Sequence, residues 1–300
     1  MSKPYELRGS VVPLISPLTW DEQIDTDALT RLMAFQKRHG TDGIFLLGTC
    51  GEGPCLTDAS KERLLDAALE RSNGLPILAG IVETGTRRAV EWARKADRLG
   101  ISALVVVLPT FHLTKNIWET VAHVRAIAEA VQTPLIMYNL PKKTGGVEVS
   151  IEAVQCLLEE RMIIGIKDSS GDLDYFSRLL ALRDVFPWFR VMNGELRRAA
   201  EALRRGADGL VMSYTNVEPD KCKLLIEAVR QEDFEQANLL QQRFLDTWKA
   251  FPSDASPAAR VKAILAAHGF CKSLCCAPAA SLEPMIPESL KKECSCFVPE

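Results

Sequence analysis

The sequence predicts an α/β fold, a (β/α)8 TIM barrel that is followed by a C-terminal helical region. Short apolar segments recur eight times, and each precedes a longer segment with the period of an amphipathic helix. Most of the short segments are continuously apolar, as expected for parallel strands that are covered on both faces. Eight strand–helix units within about 230 residues favour a closed barrel over an open doubly wound sheet.

The predicted strands are short and rich in Val, Ile and Leu. They lie at 11–15, 43–47, 76–79, 103–108, 135–138, 163–166, 189–192 and 209–212. No G-x-G-x-x-G pattern follows an early strand, and the P-loop pattern is also missing from the sequence. Both observations disfavour a nucleotide-binding doubly wound domain.

The segments between the strands carry helix start and stop signals. Thr57 precedes an apolar stripe of helical period, and a second helix begins at Thr86. That helix ends at Leu99-Gly100, where glycine suits a left-handed C-cap, and Gly40 and Gly206 mark the same ending elsewhere. A helix, a glycine, a short link and an apolar strand form the αβ connection that repeats around a parallel barrel.

The pattern changes near the C-terminus. The segments 232–251 and 257–268 read as helices without a strand between them, and 278–300 reads as a short helix with irregular ends. We therefore predict a barrel over residues 1–230 and a helical region over residues 231–300.

Composition narrows the class of protein. The formal net charge of −3 over 300 residues gives no reason to expect nucleic acid or an anionic membrane as partner. The first residues lack an apolar segment of signal-peptide length, and no apolar run reaches the ~18 residues of a membrane span. Together with nine cysteines, an odd number, this predicts a reduced, cytoplasmic location.

Five cysteines near the C-terminus raise the question of a metal site. They are Cys271, Cys275, Cys276, Cys294 and Cys296. Their spacing is not the paired C-x2-C pattern, and no histidine lies among them. The sequence predicts no metal site, and packed or tail thiols explain these residues better.

Chemistry in such a barrel lies where strands end. The sixth predicted strand ends at Lys167, whose amine would point into the barrel mouth, where desolvation favours the neutral, nucleophilic form that attacks a ketone. A lysine that reaches solvent is the alternative reading. The fifth strand ends at Tyr138, and a glycine-rich turn at 48–53 after the second strand offers N–H groups for a carboxylate. Together the three strand ends supply a nucleophile, a proton shuttle and an anion site.

At these residues the sequence resembles the dihydrodipicolinate synthase and N-acetylneuraminate lyase superfamily of class I, lysine-dependent aldolases. The resemblance covers nearly the whole chain. The motifs that carry it, in order, are Gly48-Thr49-Cys50-Gly51-Glu52, Tyr138-Asn139-Leu140-Pro141 and Gly165-Ile166-Lys167-Asp168. They match the family's G-[ST]-x-G-E, Y-N-x-P and G-x-K-[DEQ] patterns.

The resemblance implies a role for each of these groups. Lys167 forms an imine with C2 of pyruvate or of a pyruvate-like part of the substrate, Tyr138 shuttles protons and the Thr49 hydroxyl assists. Backbone N–H groups of Thr49 and Cys50 hold the carboxylate of the 2-oxo acid. No metal or other cofactor is implied, because the protonated imine is the electron sink. The family's usual assembly implies a homotetramer, a dimer of dimers.

The predicted substrate-binding residues surround these three catalytic groups. They are Gly48, Cys50, Gly51, Phe111, His112, Lys143, Gly194, Val211 and Ser213. The partners implied are a small 2-oxo acid and an aldehyde.

Two departures from the family pattern affect the proton relay. Cys50 stands where the family has a second threonine, so a thiol with a weaker hydrogen bond replaces a hydroxyl. Phe111 stands where the family has a tyrosine, and a phenyl ring cannot shuttle a proton. His112 beside it is a candidate substitute.

Two further departures affect the second substrate. Lys143 stands where synthases of the family carry an arginine that binds a carboxylate, and lysine lacks the planar fork. After the seventh strand, Glu195-Leu196 replaces the paired acids with which the lyases grip sialic acid. A sialic acid substrate is therefore disfavoured.

The leading functional hypothesis is a 2-oxo acid aldolase, a lyase for a 2-keto-3-deoxy sugar acid or 4-hydroxy-2-oxoglutarate. The first alternative is a dihydrodipicolinate (4-hydroxy-tetrahydrodipicolinate) synthase in which Lys143 replaces the arginine. The second is an inactive paralogue that binds a 2-oxo acid.

Overall fold

Eight parallel strands close into a barrel in sequence order, with β8 paired to β1. The computed structural model describes residues 5–114 and 116–291. The strands are β1 Gly9–Pro13, β2 Gly43–Leu46, β3 Ile77–Ile81, β4 Ala103–Val107, β5 Leu135–Asn139, β6 Ile163–Asp168, β7 Arg190–Asn193 and β8 Gly209–Leu210. The predicted TIM barrel with C-terminal helices is confirmed.

A helix follows each strand and packs on the outside of the barrel. The helices are α1 Thr26–Arg38, α2 Asp58–Glu70, α3 Thr86–Arg98, α4 Ile117–Ala128, α5 Ile151–Glu159, α6 Leu173–Ala181, α7 Ala199–Arg204 and α8 Pro219–Arg230. Thr57 caps α2 by accepting a hydrogen bond from Ser60 N, and Gly100 after α3 has a φ of +76°. In the part of the chain that is described, no helix is both long and apolar enough to cross a membrane.

The barrel closes between two glycines. Gly9 and Gly209 are register partners, and a Cβ on Gly209 would lie 2.0 Å from the Gly9 carbonyl oxygen. Because Gly9 and Ser10 pair with Gly209 and Leu210, β1 begins two residues before the predicted 11–15. Strand β8 is shorter than the predicted 209–212, since the chain soon turns into a 3-10 helix at Ser213–Asn216.

Alternation along the strands divides the side chains between two cores. Inward side chains form one buried cluster, which includes Val11, Phe45, Leu78, Val105, Ile136, Tyr138, Met192 and Val211. A Cβ on Gly165 would lie 2.8 Å from a methyl group of Leu7, another member of this cluster. Gly165 therefore faces inward, and the two-residue period turns Lys167 inward as well.

The C-terminal helices are α9 Phe234–Lys249, α10 Pro257–Ala267 and α11 Glu288–Lys291. A buried carboxylate ties α9 to the end of the barrel. Glu218 accepts hydrogen bonds from Tyr214 Oη at 2.5 Å and from Arg243 Nη2 at 2.7 Å. The helical region thus packs on the barrel through a satisfied buried ion pair, although its division at residue 230 remains a prediction.

His123 makes the stability of the fold sensitive to acid. Its ring is buried on α4, Nδ1 lies 2.9 Å from Thr86 Oγ1, and burial lowers the pKa of His123 from 6.5 to about 4. Because the unfolded chain binds this proton more tightly, the contribution is complete above pH 6.5 and is lost as pH falls toward 4. The loss amounts to about 3 kcal/mol.

We expect His123→Gln to unfold with a smaller loss of stability between pH 6.5 and 4 than the wild type, as measured by urea denaturation. His112→Gln serves as the control, since His112 is exposed. An identical pH dependence in wild type and His123→Gln would contradict the assignment.

Candidate active site

Lys167 and Tyr138 lie side by side at the carboxyl end of the barrel. They are register partners on β6 and β5, and Lys167 Nζ lies 3.9 Å from the centroid of the Tyr138 ring. Phe45 on β2 closes the other side, with its ring centroid 5.1 Å from Nζ. Lys167 is only 5% exposed. The structure thus brings the amine of Lys167 and the ring of Tyr138 together at one end of the barrel, while their catalytic roles stay a prediction.

Gly194 packs closely against the aliphatic part of the Lys167 side chain. A Cβ at Gly194 would lie 2.7 Å from Lys167 Cε and 2.2 Å from Ser169 Oγ, closer than real Cβ atoms come. Gly194 N also donates to Asp168 O at 2.7 Å, which holds the β7 loop against the end of β6. Glycine is needed here because the backbone itself forms the wall beside the lysine.

We expect Gly194→Ala to lower the rate of imine formation at Lys167 by displacing its side chain, while leaving a folded barrel. The measurement is the rate at which borohydride traps a 2-oxo acid on the protein. Gly85→Ala is the control, because a Cβ there meets no atom within 4 Å. Equal trapping rates in wild type and Gly194→Ala would show that the contact does not position the lysine.

The turn after β2 is shaped by close backbone approaches. A Cβ on Gly51 would lie 2.9 Å from Leu14 O, one on Gly48 would lie 2.7 Å from the Phe45 ring, and Ser16 Oγ donates to Gly51 O at 2.6 Å. The N–H groups of Thr49 and Cys50 donate no hydrogen bond within residues 5–114 and 116–291. Two free N–H groups on a rigid turn suit an anion.

Cys50 belongs to this turn and is buried, with 5% of the residue exposed. Burial, followed by the charge of Glu52, raises the pKa of Cys50 to about 12. Its Sγ lies 4.0 Å from Asn216 Nδ2, a weak contact. The thiol stays protonated at neutral pH, so it fills space in the site and does not act as a second nucleophile.

A cavity of about 730 Å³ opens above these groups. Of the predicted site residues, the cavity is lined by Thr49, Cys50, Tyr138, Lys143, Lys167, Gly194, Val211 and Ser213. Gly48 and Gly51 shape the turn without lining the cavity. Phe111 is 75% exposed, and neither it nor His112 lines the cavity, so their substrate contact remains a prediction.

Several lining residues were not predicted from the sequence. Ser169, two positions after Lys167, has a buried hydroxyl with no hydrogen-bond partner in the described residues. Helices α9 and α10 and their link add Leu245, Trp248, Lys249, Phe251, Ser253, Ala255, Pro257 and Arg260. The position of Ser169, two residues after the lysine at the strand end, could have indicated that it lies near the site. Nothing in the sequence indicated that the C-terminal helices contribute to the cavity.

A charged cluster stands at the wall formed by the β7 loop. Glu195 accepts hydrogen bonds from Lys142 Nζ at 3.1 Å and from Arg197 Nε at 3.0 Å. Burial alone would raise the pKa of Glu195, but the hydrogen bonds from Arg197 and Lys142 outweigh it and lower the pKa. The carboxylate is therefore ionised and already paired with two cations.

A buried polar pair supports the ends of β5 and β6. Asn139 Nδ2 donates to Asp168 Oδ1 at 2.8 Å, and Asn139 Oδ1 accepts from Val149 N at 3.0 Å. Burial raises the pKa of Asp168 against opposing hydrogen bonds from Asn139 and Ser170. The pair follows Tyr138 and Lys167 directly in sequence, so it fixes the two strand ends relative to each other.

The turn after β2 is anchored from the far end of the chain. Glu52 has a φ of +52°, and its carboxylate pairs with Lys262 on α10, which is 0% exposed. The other carboxylate oxygen accepts from Cys276 N at 2.8 Å, while Lys262 Nζ also donates to Leu274 O at 2.7 Å. The C-terminal region thus holds the turn that carries Thr49 and Cys50.

The described residues contain no group of three or more His, Cys, Asp or Glu placed to hold a metal ion. Cys271, Cys275 and Cys276 are free thiols near the Glu52 anchor. Cys294 and Cys296 lie outside the described residues.

The chain matches the model of the Dihydrodipicolinate synthetase family over residues 6–295. It is 35% identical to a 4-hydroxy-tetrahydrodipicolinate synthase of Stenotrophomonas maltophilia over 76% of both chains. It is 32% identical to an uncharacterized DapA-like lyase of Halobacterium salinarum, covering 89% of this chain and 86% of that protein. The dihydrodipicolinate synthase of Aquifex aeolicus superposes with a TM-score of 0.85 at 28% identity, over 95% of both chains.

A parallel (β/α)8 barrel with this family match defines a class I aldolase, a carbon–carbon lyase. The match to the family model spans nearly the whole chain, residues 6–295. The chain belongs to the dihydrodipicolinate synthetase family.

Proposed function

We propose that this enzyme cleaves or forms a carbon–carbon bond next to a 2-oxo acid, with Lys167 as the imine-forming nucleophile. The observation that supports this most directly is the buried Lys167 Nζ, 3.9 Å from the Tyr138 ring, in a cavity that also exposes Thr49. The free N–H groups of Thr49 and Cys50 suit the carboxylate of the 2-oxo acid.

In the cleavage direction, the amine of Lys167 adds to C2 of the substrate, and the carbinolamine takes up a proton from solvent and loses water to give a protonated imine. That proton returns to solvent when the imine is hydrolysed. The C3–C4 bond then breaks, its electron pair moves toward the imine nitrogen to form an enamine, and the C4 hydroxyl becomes an aldehyde carbonyl. Tyr138, assisted by Thr49, accepts the proton of that hydroxyl and returns one to C3. Hydrolysis of the imine releases pyruvate and restores the amine.

We favour a lyase that acts on a 2-keto-3-deoxy sugar acid or 4-hydroxy-2-oxoglutarate. Phe111 supplies no hydroxyl to a proton relay, and Cys50 supplies only a protonated, buried thiol. Ser213 lines the cavity and offers a hydroxyl group to a hydroxylated substrate. These features suit cleavage of a hydroxy-2-oxo acid better than a synthase relay.

A 4-hydroxy-tetrahydrodipicolinate synthase is the second candidate. The curated relative in Stenotrophomonas maltophilia carries this name, and Lys143 lines the cavity as a positive charge for a carboxylate-bearing aldehyde. For either candidate we also predict that the protein forms a homotetramer and lies in the cytoplasm. Sedimentation of the purified protein tests the assembly.

Product assays separate the candidates. We expect pyruvate release from 4-hydroxy-2-oxoglutarate or 2-keto-3-deoxygluconate, followed with lactate dehydrogenase. Faster turnover of pyruvate with aspartate semialdehyde would instead identify a synthase. If neither reaction proceeds, while the protein still binds pyruvate, the chain is an inactive paralogue.

A further inference from the structure

We propose that the cavity wall formed by the C-terminal helices binds a second anionic group of the substrate, a carboxylate or a phosphate, through Arg260 of α10. This inference rests on the proposed function, in which the 2-oxo acid end of the substrate lies at Lys167. Among the candidate substrates it favours those that carry a further negative charge beyond the bond that is broken, such as 4-hydroxy-2-oxoglutarate, and it assigns Arg260 to the recognition of that charge.

The charge of the cavity wall is strongly unbalanced. Its basic residues are Lys142, Lys143, Lys167, Arg197, Lys249 and Arg260, and its only acidic residue among those described is Glu195. A 2-oxo acid supplies a single carboxylate, which leaves most of this positive charge uncompensated. Because a cavity with apolar walls focuses such a field, a doubly charged substrate gains more from it.

Pairing within the protein identifies which cations are available. Glu195 already binds Lys142 and Arg197, and Lys249 pairs with Asp246 at 2.9 Å. Lys143 and Arg260 have no carboxylate within ion-pair distance in residues 5–114 and 116–291. Apart from Lys167, the two unpaired basic residues come from different parts of the chain, the β5 loop and α10, yet line one cavity.

Arg260 is held in place by hydrogen bonds and still has an unpaired N–H donor. Its Nη2 donates to Pro252 O at 2.8 Å and to Ser253 O at 2.9 Å, which fixes the plane of the guanidinium on the link between α9 and α10. Its Nε is buried without a partner, and Nη1 donates to no described residue. Nε is closed off from solvent, whereas Nη1 keeps solvent access, so Nη1 can donate to an anion in the cavity. The planar fork suits carboxylate and phosphate alike, and Lys143 adds a point charge.

The test compares two ligands that differ only at C5. 2-Oxoglutarate ends in a carboxylate and 2-oxopentanoate in a methyl group, and neither has the C4 hydroxyl that cleavage requires. Calorimetry with the full chain should show that wild type prefers 2-oxoglutarate. Arg260→Gln should reduce that preference on the order of 10- to 100-fold and leave 2-oxopentanoate binding unchanged. Arg260→Lys should retain part of it.

Arg178→Gln is the matched control, since Arg178 lies on α6 with its side chain 62% exposed and paired with Glu152. A parallel comparison uses 2-keto-3-deoxy-6-phosphogluconate and its unphosphorylated form in cleavage assays. If the preference for 2-oxoglutarate over 2-oxopentanoate depends on Arg260, the subsite binds a carboxylate. If only the preference for the phosphorylated sugar acid depends on Arg260, the subsite binds a phosphate. An Arg260→Gln variant that matches wild type for both pairs would overturn the proposal.

Borohydride trapping of pyruvate separates this proposal from the proposed function. Trapping at the wild-type level in Arg260→Gln shows an intact Lys167 site, so a lost preference then reports on the anion subsite. If wild type traps no pyruvate but its preference for 2-oxoglutarate depends on Arg260, the aldolase proposal fails and the anion subsite stands. If pyruvate is trapped and wild type shows no preference in either pair, the anion subsite alone is wrong.

Discussion

Replacing Lys167 with alanine is expected to abolish the reducible adduct with pyruvate and to lower turnover on the order of 10⁴-fold or more, the scale seen when a covalent nucleophile is removed. Lys142, Lys143 and Lys249 also line the cavity but are exposed, whereas Lys167 is buried with its Nζ 3.9 Å from the centroid of the Tyr138 ring. The measurement is the intact mass of the protein after incubation with pyruvate and borohydride. Wild type should gain one reduced pyruvyl group, and Lys167→Ala should gain none.

Tyr138→Phe is the companion variant. It removes one hydroxyl and keeps the ring that packs against the lysine, so the barrel and the imine-forming amine remain. We expect the adduct to form in Tyr138→Phe while turnover falls by about 10²- to 10⁴-fold, the usual contribution of a general acid–base group. Retention of the adduct in Lys167→Ala would show that a different lysine is the nucleophile.

Much of this site follows from local sequence signals. Lys167 and Tyr138 each end an apolar segment, and strands that are neighbours in a sequence-ordered barrel place such residues side by side. The three glycines of segment 48–53 indicate a tight turn after the second strand. Because both signals lie within a few residues of Lys167 and Thr49, the part of the candidate site that we propose for the 2-oxo acid could be predicted.

The other half depends on contacts between distant segments. Gly194 gives no local sign that its missing Cβ makes room for Lys167 Cε. Arg260 and Lys249 line the cavity only because α9 and α10 return to the barrel mouth, an arrangement stabilised by Glu218. No periodicity or motif encodes that return, so the sequence analysis assigned no site residue to these helices.

One long-range contact did leave a trace in the sequence. Lys262 lies among Val261, Ala263 and Ile264 in a run of five consecutive buried residues on α10. A cation in such surroundings needs a partner, because burying an unpaired charge is very unfavourable. The partner is Glu52, which is 210 residues earlier in the chain, and only the fold identifies it.

Lys262→Met is accordingly expected to lower the free energy of unfolding by about 3–5 kcal/mol, since it leaves the Glu52 carboxylate buried without its counter-charge. The double variant Glu52→Gln/Lys262→Met should recover part of this loss, because glutamine can still accept from Cys276 N without a buried charge. Urea denaturation measures both. Arg87→Met is the control, as its pair with Glu91 is exposed and should contribute little.

The same variants test whether this anchor serves the active site. Glu52 follows Thr49 and Cys50 in one turn, so loosening it should weaken binding of the 2-oxo acid carboxylate and raise KM more than it lowers kcat. The double variant, with its neutral pair, should restore KM in step with stability. If Lys262→Met has wild-type stability, the Glu52 carboxylate finds another partner. If the variant is destabilised but has a normal KM, the Glu52–Lys262 pair supports the fold and not the active site.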